Sequence, residues 1–488
     1  MRLSELLDGL LTLDDNNARV EVKRLTLDTR ELDAQTLFLA TQGLHHHALA
    51  FLTSQHQYAQ VLYQTPYADA QESWLGFAHL NECVSEIAAR FYGRPSEKMT
   101  LVGITGTDGK SSLVYLLAQA LDCAMMGTIG MGKLQALKPS SHTTIDALAL
   151  QKQLAQFYAQ GIETVALEIS SHALTQYRVA DVAIKVALFS NLSRDHLDYH
   201  ASMEDYFLAK ASLFARPIAH AVINIDDAYG RRLLDEGRVF VQAKVWAVSS
   251  QTPYQVRPER AQHTLWAENI VLHASGLRFD LVLDGVGRKR VESALLARFN
   301  VDNLLNVAAT LLALGHSLEA VVERLASLRG VPGRVECLPL PNGAKALVDY
   351  AHTPAALQGV LTGVRAHVQG RLWVIFGCGG DRDKGKRALM AAAAERFADA
   401  VVITDDNPRT EDPMAIVSEI MRGFECPEAV QVVRPRQEAI AFVLAHLSPK
   451  DAVVIAGKGH ENYQIIGQTT FAYSDQAVVR QWCEGQDD

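Results

Sequence analysis

The stretch GITGTDGKSS, residues 103–112, decides how this chain is read. It closes the apolar run MTLVGITG and opens the helical run SSLVYLLAQAL, so a buried strand, a glycine-rich turn and a helix follow one another. Gly106 and Gly109 let backbone N–H groups approach an anion, the helix N-terminus adds positive potential, and Lys110 can reach outer phosphates. Ser111 stands where a hydroxyl can ligate magnesium. The spacing is not G-x-x-x-x-G-K-[ST], because the residue five before Gly109 is Ile104. A variant nucleotide loop is expected.

Downstream, apolar strand, polar turn and helix alternate through TVALEIS, IKVALFSN and HAVINIDD. Strands that are apolar throughout are buried on both faces, and their alternation with helices predicts a mostly parallel sheet. Glu168 ends one such strand, where a carboxylate can hold a metal beside the loop. SNLSRDHLDYH puts His196 beyond another strand, and YFLAKASLF places Lys210 in an apolar helix, where a lone lysine ordinarily snorkels to the surface. LRGVPGRVE, 328–336, reads as a hinge. After it KALVDYAHTP, RLWVIFGCGGDRDKGKR, DAVVITDDNPR and DAVVIAGKGHE each run from an apolar strand into a polar cluster. Ligands bind beyond the carboxyl ends of such strands, so these clusters should share one rim and form a second site.

Upstream, RLTLDTR, TLFLA and AQVLYQT read as short strands, LNECVSEIAARFYG as a helix and YGRPSEK, 92–98, as a linker. The expected fold class is α/β in three domains. These are a small N-terminal α/β domain over 1–92, a central P-loop-type domain with a mostly parallel sheet over 93–331, and a C-terminal Rossmann-like domain over 332–488.

The totals narrow the function. A chain of 488 residues, 48% hydrophobic and 21% charged, exceeds one ordinary domain and suits a soluble globular protein. Its net charge of -9 argues against a broad nucleic-acid or anionic-membrane surface. No run of 18 apolar residues predicts a membrane span, and Asp8 breaks the apolar stretch near the start, unlike a signal peptide. Cys83, Cys123, Cys337, Cys378, Cys426 and Cys483 lie far apart without a C-x-x-C pair, which suits reduced thiols in the cytoplasm. The HHH run at 45–47 reads as a solvated loop, because three adjacent side chains cannot all face one ion.

In order along the chain, GTDGKSS, EISSH, NLSRDHLDYH, FNVDNLLNVAA, GRVE, DYAHTP, GCGGDRDKGKR, DNPR and GKGHE resemble the motif series of the Mur ligases of peptidoglycan synthesis. The similarity spans essentially the whole chain, and GCGGDRDKGKR with DNPR points to the diaminopimelate-adding subgroup. The resemblance implies an enzyme that phosphorylates a carboxylate with ATP and lets an amine displace the phosphate, catalysing mainly by positioning and charge neutralisation. It implies that Gly106, Thr107, Asp108, Gly109, Lys110, Ser111 and Ser112 hold the ATP phosphates. Asn303 would meet adenine, and Arg334 and Asp349 would contact the nucleotide, with domain closure completing the site.

Ser111 and Glu168 would ligate one Mg²⁺ and His196 a second, supported by Lys210 as a carbamate. Carbamylation needs a neutral amine, which burial favours. Leu27 and Thr29, with the loop 43–46, correspond to the uridine-binding surface of a UDP-N-acetylmuramoyl dipeptide. Thr143, Thr144, Ser170, Gln176 and Arg178 correspond to residues holding its sugar-peptide part. Arg382, Asp406, Asn407, Pro408, Arg409, Gly457 and Glu461 would take meso-diaminopimelate. A guanidinium suits the carboxylate that lysine lacks, and Glu461 suits the distal ammonium.

A monomer acting on small molecules is expected, without nucleic acid. Asp108 stands where the family usually has Asn, His142 where Asn is common, Ile145 where Gly or Pro often follows, and Ala297 where Gly is frequent. Alternatives are a lysine-adding ligase, with a different motif at 406–409, a P-loop kinase or ATPase, and an inactive nucleotide-binding protein.

Overall fold

The computed structural model describes residues 1–43, 45–140, 142–251 and 258–485. They form two compact units, the first mainly residues 1–248 and the second mainly residues 265–308 and 315–485.

In the first unit the strands Arg24–Thr26, Thr36–Ala40, Gln60–Gln64 and Leu75–Phe77 pair in that order, all parallel. The helix Leu80–Phe91 turns Leu80, Val84, Ile87 and Ala88 into a core with Leu3, Leu6, Leu37 and Leu62. His45 and His46 are exposed, as a solvated loop requires, and two details differ from the sequence reading. His47 is buried rather than solvated: its Nδ1 accepts from the N–H of Leu49 at 3.1 Å, which leaves the proton on Nε2 to donate to the Gln64 carbonyl at 2.8 Å. The segment read as a linker is a packed turn, with Pro95 and Ser96 buried and the Ser96 hydroxyl accepting from the N–H of Ala183 at 3.1 Å.

The unit's larger sheet has Thr100–Thr105 between Thr164–Glu168 on one side and Val186–Phe189 on the other, all parallel. His220–Asn224 and Lys244–Ser249 extend the second side, and Ala124–Gly127 the first. Gly103 lies so close to the covering layer that a Cβ would sit 2.6 Å from Ile169 Cδ1. The helix Lys110–Leu121 buries Leu113, Val114, Leu116, Leu117, Ala118 and Ala120, so it is a core helix. The loops after residues 105, 168 and 189 therefore leave three adjacent parallel strands at the same edge.

The second unit holds a sheet in the order Glu336–Pro339, Lys345–Asp349, Ala452–Ala456, Leu372–Phe376, Ala400–Ile403 and Gln431–Val432, parallel except for the first strand. Val374 and Phe376 face a core with Leu357, Met390 and Ile416, while Ile375 faces Ile440, Val443 and Val479, so helices cover both faces. The four clusters after residues 349, 376, 403 and 456 share one rim, as the sequence predicted. Among the described residues, no helix is long and apolar enough to cross a membrane, and all six cysteines are free thiols.

Candidate active site

The glycine-rich turn is stitched to the loop that carries His196. A Cβ on Gly106 would lie 1.9 Å from Ser190 Oγ, so only glycine permits the approach. The N–H groups of Thr107 and Asp108 donate to the Asn191 carbonyl and Oδ1, each at 2.9 Å, and Ser190 Oγ donates to the Asp108 carbonyl at 2.8 Å. The N–H of Ser193 donates to Thr107 Oγ1 at 3.0 Å. Gly109, at φ 82, starts the helix Lys110–Leu121. Lys110 folds back over the turn, its Nζ donating to the carbonyls of Gly106 at 2.9 Å and Thr107 at 2.7 Å. The carboxylate of exposed Asp108 accepts from Ser193 Oγ at 3.3 Å, so the negative charge lies toward that hydroxyl and solvent.

Glu168 ends the neighbouring strand and is fully buried. Its Oε1 accepts from the N–H of Thr128 at 2.9 Å, over Gly127, where a Cβ would lie 2.2 Å from the same oxygen. The Thr128 hydroxyl lies 3.0 Å from Thr143 Oγ1 and 3.3 Å from Glu168 Oε2. Thr144 Oγ1 donates to the Glu168 carbonyl at 2.8 Å and accepts from the N–H of Ser170 at 3.1 Å. Arg178 donates to the Thr144 carbonyl at 2.6 Å and, through Nε and Nη2, to Gln176 Oε1 at 3.1 and 2.6 Å. The five residues expected to hold the acceptor's sugar-peptide part thus form one network with Glu168.

His196 adopts φ 53 beyond the third strand, and its ring meets His172 edge-on at 5.1 Å. Burial, reinforced by the neighbouring His196 and His200, holds His172 down to about 4, a neutral ring at pH 7. Lys210 does not snorkel. It is 1% exposed, donates to the Gly106 carbonyl at 2.7 Å, and lies over the Tyr206 ring at 4.6 Å. Burial, then the charge of Lys110, brings its pKa well below the usual lysine range. Tyr206 OH meets Thr107 Oγ1 at 3.1 Å, which joins Lys210's helix to the turn.

Among the described residues no three His, Cys, Asp or Glu side chains gather as a metal cluster. Ser111, Glu168 and His196 instead offer a hydroxyl, a carboxylate and an imidazole from around three neighbouring strand ends. A set of that kind fits Mg²⁺, which keeps several waters and shares phosphate oxygens. Elsewhere in this unit Thr29 opens a turn capped by Asp28, whose carboxyl is held at about 2 by the Arg30 guanidinium. Leu27 packs on the core of the small sheet. In the loop 43–46 the N–H of Gly43 donates to the His46 carbonyl at 2.9 Å, and Leu44 lies outside the described residues.

In the second unit Asp349 is buried and both its oxygens accept main-chain N–H groups, Val335 at 2.8 Å and Ala351 at 2.7 Å. Burial pushes its carboxyl up. The Arg334 guanidinium lies over the Tyr350 ring at 4.7 Å, and Asn303 is buried, donating to Asn300 Oδ1 at 2.8 Å. On the shared rim, a Cβ at Gly379 would lie 2.9 Å from Arg409 Nη1 and 3.7 Å from Arg382 Cγ, so the two arginines flank it. Arg409, at φ 50, donates to the Gly380 carbonyl at 2.8 Å.

The hairpin of Tyr463–Ile466 and Thr469–Ala472 straps this loop. Arg409 N–H donates to the Ile465 carbonyl at 3.2 Å, Gly467 N–H to the Arg409 carbonyl at 2.8 Å, and Ile465 N–H to Asn407 Oδ1 at 2.9 Å. Asn407 Nδ2 reaches Glu461 Oε2 at 3.3 Å. The N–H of Gly380 donates to the Asn407 carbonyl at 2.9 Å. A Cβ at Gly457 would come 2.7 Å from Asp406 Oδ2, and one at Gly380 would come 1.9 Å from the Pro408 carbonyl. The residues expected to take the amino acid are therefore brought together.

Residues 104–311 match the model of the Mur ligase middle domain, and residues 333–459 that of the Mur ligase, glutamate ligase domain. A relative from Alkalilimnicola ehrlichii is 42% identical over 99% of this chain and 98% of its own length, and is named UDP-N-acetylmuramoyl-L-alanyl-D-glutamate--2,6-diaminopimelate ligase. This chain belongs to the Mur ligase family. A relative of the same name from Ectopseudomonas mendocina is 43% identical over 93% of the chain and 94% of its own. A solved structure of a ligase of that name superposes with a TM-score of 0.74 at 34% identity, covering 100% of this chain and 99% of the other.

Several residues that shape the sites of this Mur ligase escaped sequence reasoning. Thr128, which fixes Glu168, lies on an edge turn with no motif around it. Asn191 and Tyr206 lie inside stretches read only for His196 and Lys210. Arg387 is fully buried and donates to Glu411 at 3.0 Å, Glu419 at 2.7 Å and the Gly379 carbonyl at 3.1 Å. It closes the motif GCGGDRDKGKR, in which the sequence reading singles out only Arg382. Lys458 sits in a motif read for its glutamate.

Proposed function

We propose that this Mur ligase joins meso-2,6-diaminopimelate to the D-glutamate carboxylate of UDP-N-acetylmuramoyl-L-alanyl-D-glutamate, in cytoplasmic peptidoglycan precursor synthesis. It would act as a monomer of three domains, 1–92, 93–331 and 332–488. The observation that carries the substrate assignment is the rim at Asp406–Arg409. There a guanidinium stands beside an amide and a carboxylate, matching the carboxylate and ammonium of an amino-acid end.

The turn 106–112 and Lys110 hold the ATP phosphates, with Asn303, Arg334 and Asp349 on the nucleotide. Leu27 and Thr29 take the uridine end of the acceptor, and Thr143, Thr144, Ser170, Gln176 and Arg178 its sugar-peptide part. The acceptor carboxylate oxygen attacks the γ-phosphorus and the β–γ bridging bond breaks, leaving ADP and an acyl phosphate. The amine of diaminopimelate then adds to that carbonyl carbon, loses a proton, and the collapse of the tetrahedral intermediate expels inorganic phosphate. Arg409 and Arg382 orient the incoming amino acid through its carboxylates, while Glu461 and Asn407 hold its distal end.

Mg²⁺ supplies neutralisation of the phosphate charge. Ser111, Glu168, His196 and Lys210 as its carbamate would hold it. The neutral form of the buried Lys210 amine, which burial favours, attacks CO₂: an N–C bond forms, a C–O π bond opens and one proton leaves, so a neutral amine becomes an anionic carbamate.

The test is ATP-dependent amide formation on the UDP-linked dipeptide, with diaminopimelate and L-lysine offered separately and product mass as readout. Product with diaminopimelate alone is expected. Product with lysine alone would overturn the substrate assignment, and none with either would overturn the ligase reading for this chain.

A further inference from the structure

Lys458 is fully buried at the floor of the second unit's rim, and the mechanism above does not use it. Its Nζ donates to Asn407 Oδ1 at 3.0 Å and to the Tyr463 carbonyl at 2.8 Å, and lies 3.6 Å from Asp406 Oδ1 and 3.7 Å from Glu461 Oε2. All four of these polar neighbours are oxygen acceptors, and Nζ also lies 5.8 Å over the rings of Tyr463 and Tyr473, surroundings that suit an ammonium rather than a neutral amine. Burial draws its proton affinity down and Asp406 offsets that; Arg436 lowers it further, and Glu461 and Asp475, the ion-pair partner of Arg436, raise it.

We propose that Lys458 is a positioning residue that sets the charge balance of the amino-acid pocket, so that the pocket prefers a zwitterionic end group over a purely cationic one. This rests on the diaminopimelate reading. Asp406 and Glu461 bring two negative charges and Lys458 cancels one. One negative charge remains for a substrate ammonium, and Arg409 remains for a substrate carboxylate. An amino-acid end carries one of each, whereas the side chain of lysine carries only the cation.

Lys458 acts a second way. By holding Asn407 Oδ1, together with the N–H of Ile465, it orients the amide so that Nδ2 faces Glu461. Without Lys458 the pocket holds an uncompensated second carboxylate, which repels a substrate carboxylate and leaves the amide less fixed.

The full-length enzyme would be assayed with diaminopimelate and with L-lysine as wild type, Lys458→Met, Asp406→Asn and the double variant, with melting temperatures alongside. Lys458→Met is expected to raise the KM for diaminopimelate about ten-fold or more, leave the KM for ATP unchanged, and narrow the preference over lysine by a similar factor. Asp406→Asn alone should also weaken diaminopimelate, because Lys458 then cancels the last negative charge. The double variant restores the balance and should recover much of the loss. An unchanged KM in Lys458→Met, an equal loss toward ATP, or a double variant worse than either single variant would overturn the role of Lys458. If Lys458→Met does not fold, an unchanged KM in Asp406→Asn overturns it. Wild type that makes no diaminopimelate product defeats this role and the substrate assignment together, whereas wild type that does make it confines any failure to the role of Lys458.

Discussion

Lys210 Nζ donates to the carbonyl oxygen of Gly106 at 2.7 Å across 104 residues of chain, and Lys110 Nζ donates to the same oxygen at 2.9 Å. Two ammonium groups on one buried acceptor repel each other, and burial followed by the charge of Lys110 draws the proton affinity of Lys210 well below the ordinary lysine range. Activity should therefore depend on dissolved CO₂. Degassed enzyme should lose activity and regain it with bicarbonate, and Lys210→Ala should fall about 100-fold with partial rescue by acetate. Wild-type rates in Lys210→Ala would refute the role.

Thr128 should act on Mg²⁺ through Glu168. It supplies the N–H and a hydroxyl at the Glu168 carboxylate, and removing such a supporting group typically weakens metal binding about 10-fold. Thr128→Val should raise the Mg²⁺ concentration for half-maximal rate by that factor with the melting temperature little changed. A Mg²⁺ titration of both proteins decides.

Arg409→Lys should weaken diaminopimelate about 100-fold while leaving the KM for ATP alone, because an ammonium cannot replace the two-pronged guanidinium contact. Parallel KM measurements for both substrates check this. A matching loss toward ATP would instead indicate damage to the whole loop.

Acid should loosen the rim through Glu411. The Arg387 guanidinium, then the N–H of Asp381, hold its carboxyl down to about 2 from an ordinary 4.5. A depressed acid contributes its full stability above the unfolded value and loses it as pH falls from about 4.5 toward 2. Melting temperature between pH 5 and pH 3 should fall less steeply for Glu411→Gln than for wild type.

Gly106→Ala should abolish nucleotide binding or folding, since its Cβ would fall 1.9 Å from Ser190 Oγ. Calorimetric titration with ADP and a thermal melt distinguish the two losses.

The strands and the turn at 103–112 were legible because fully apolar runs punctuated by glycine leave few alternatives. The shared rim of the second unit followed from parallel pairing. What stayed hidden were contacts between residues far apart in sequence. His47 finds Gln64, Ser96 finds Ala183, and Thr128 finds Glu168, and none of these pairs leaves a periodic or spacing signature. Lys210 shows the limit most clearly: one lysine in an apolar helix reads first as a snorkelling surface residue, and the Gly106 carbonyl and the Tyr206 ring show it buried instead.

At position 409 the strap from the Tyr463–Ile466 hairpin uses main-chain groups alone: the N–H to Ile465 and the carbonyl to Gly467. The Arg409 side chain adds one further tie, to the Gly380 carbonyl, but the hairpin itself is pinned without it. A lineage could vary residue 409 while keeping the hairpin, whereas Asn407, whose Oδ1 accepts from the Ile465 N–H, is tied to it; position 409 carries one restriction of its own. The backbone at 409 sits at φ 50, where β-branched residues fit poorly, so valine, isoleucine and threonine are closed routes for such drift.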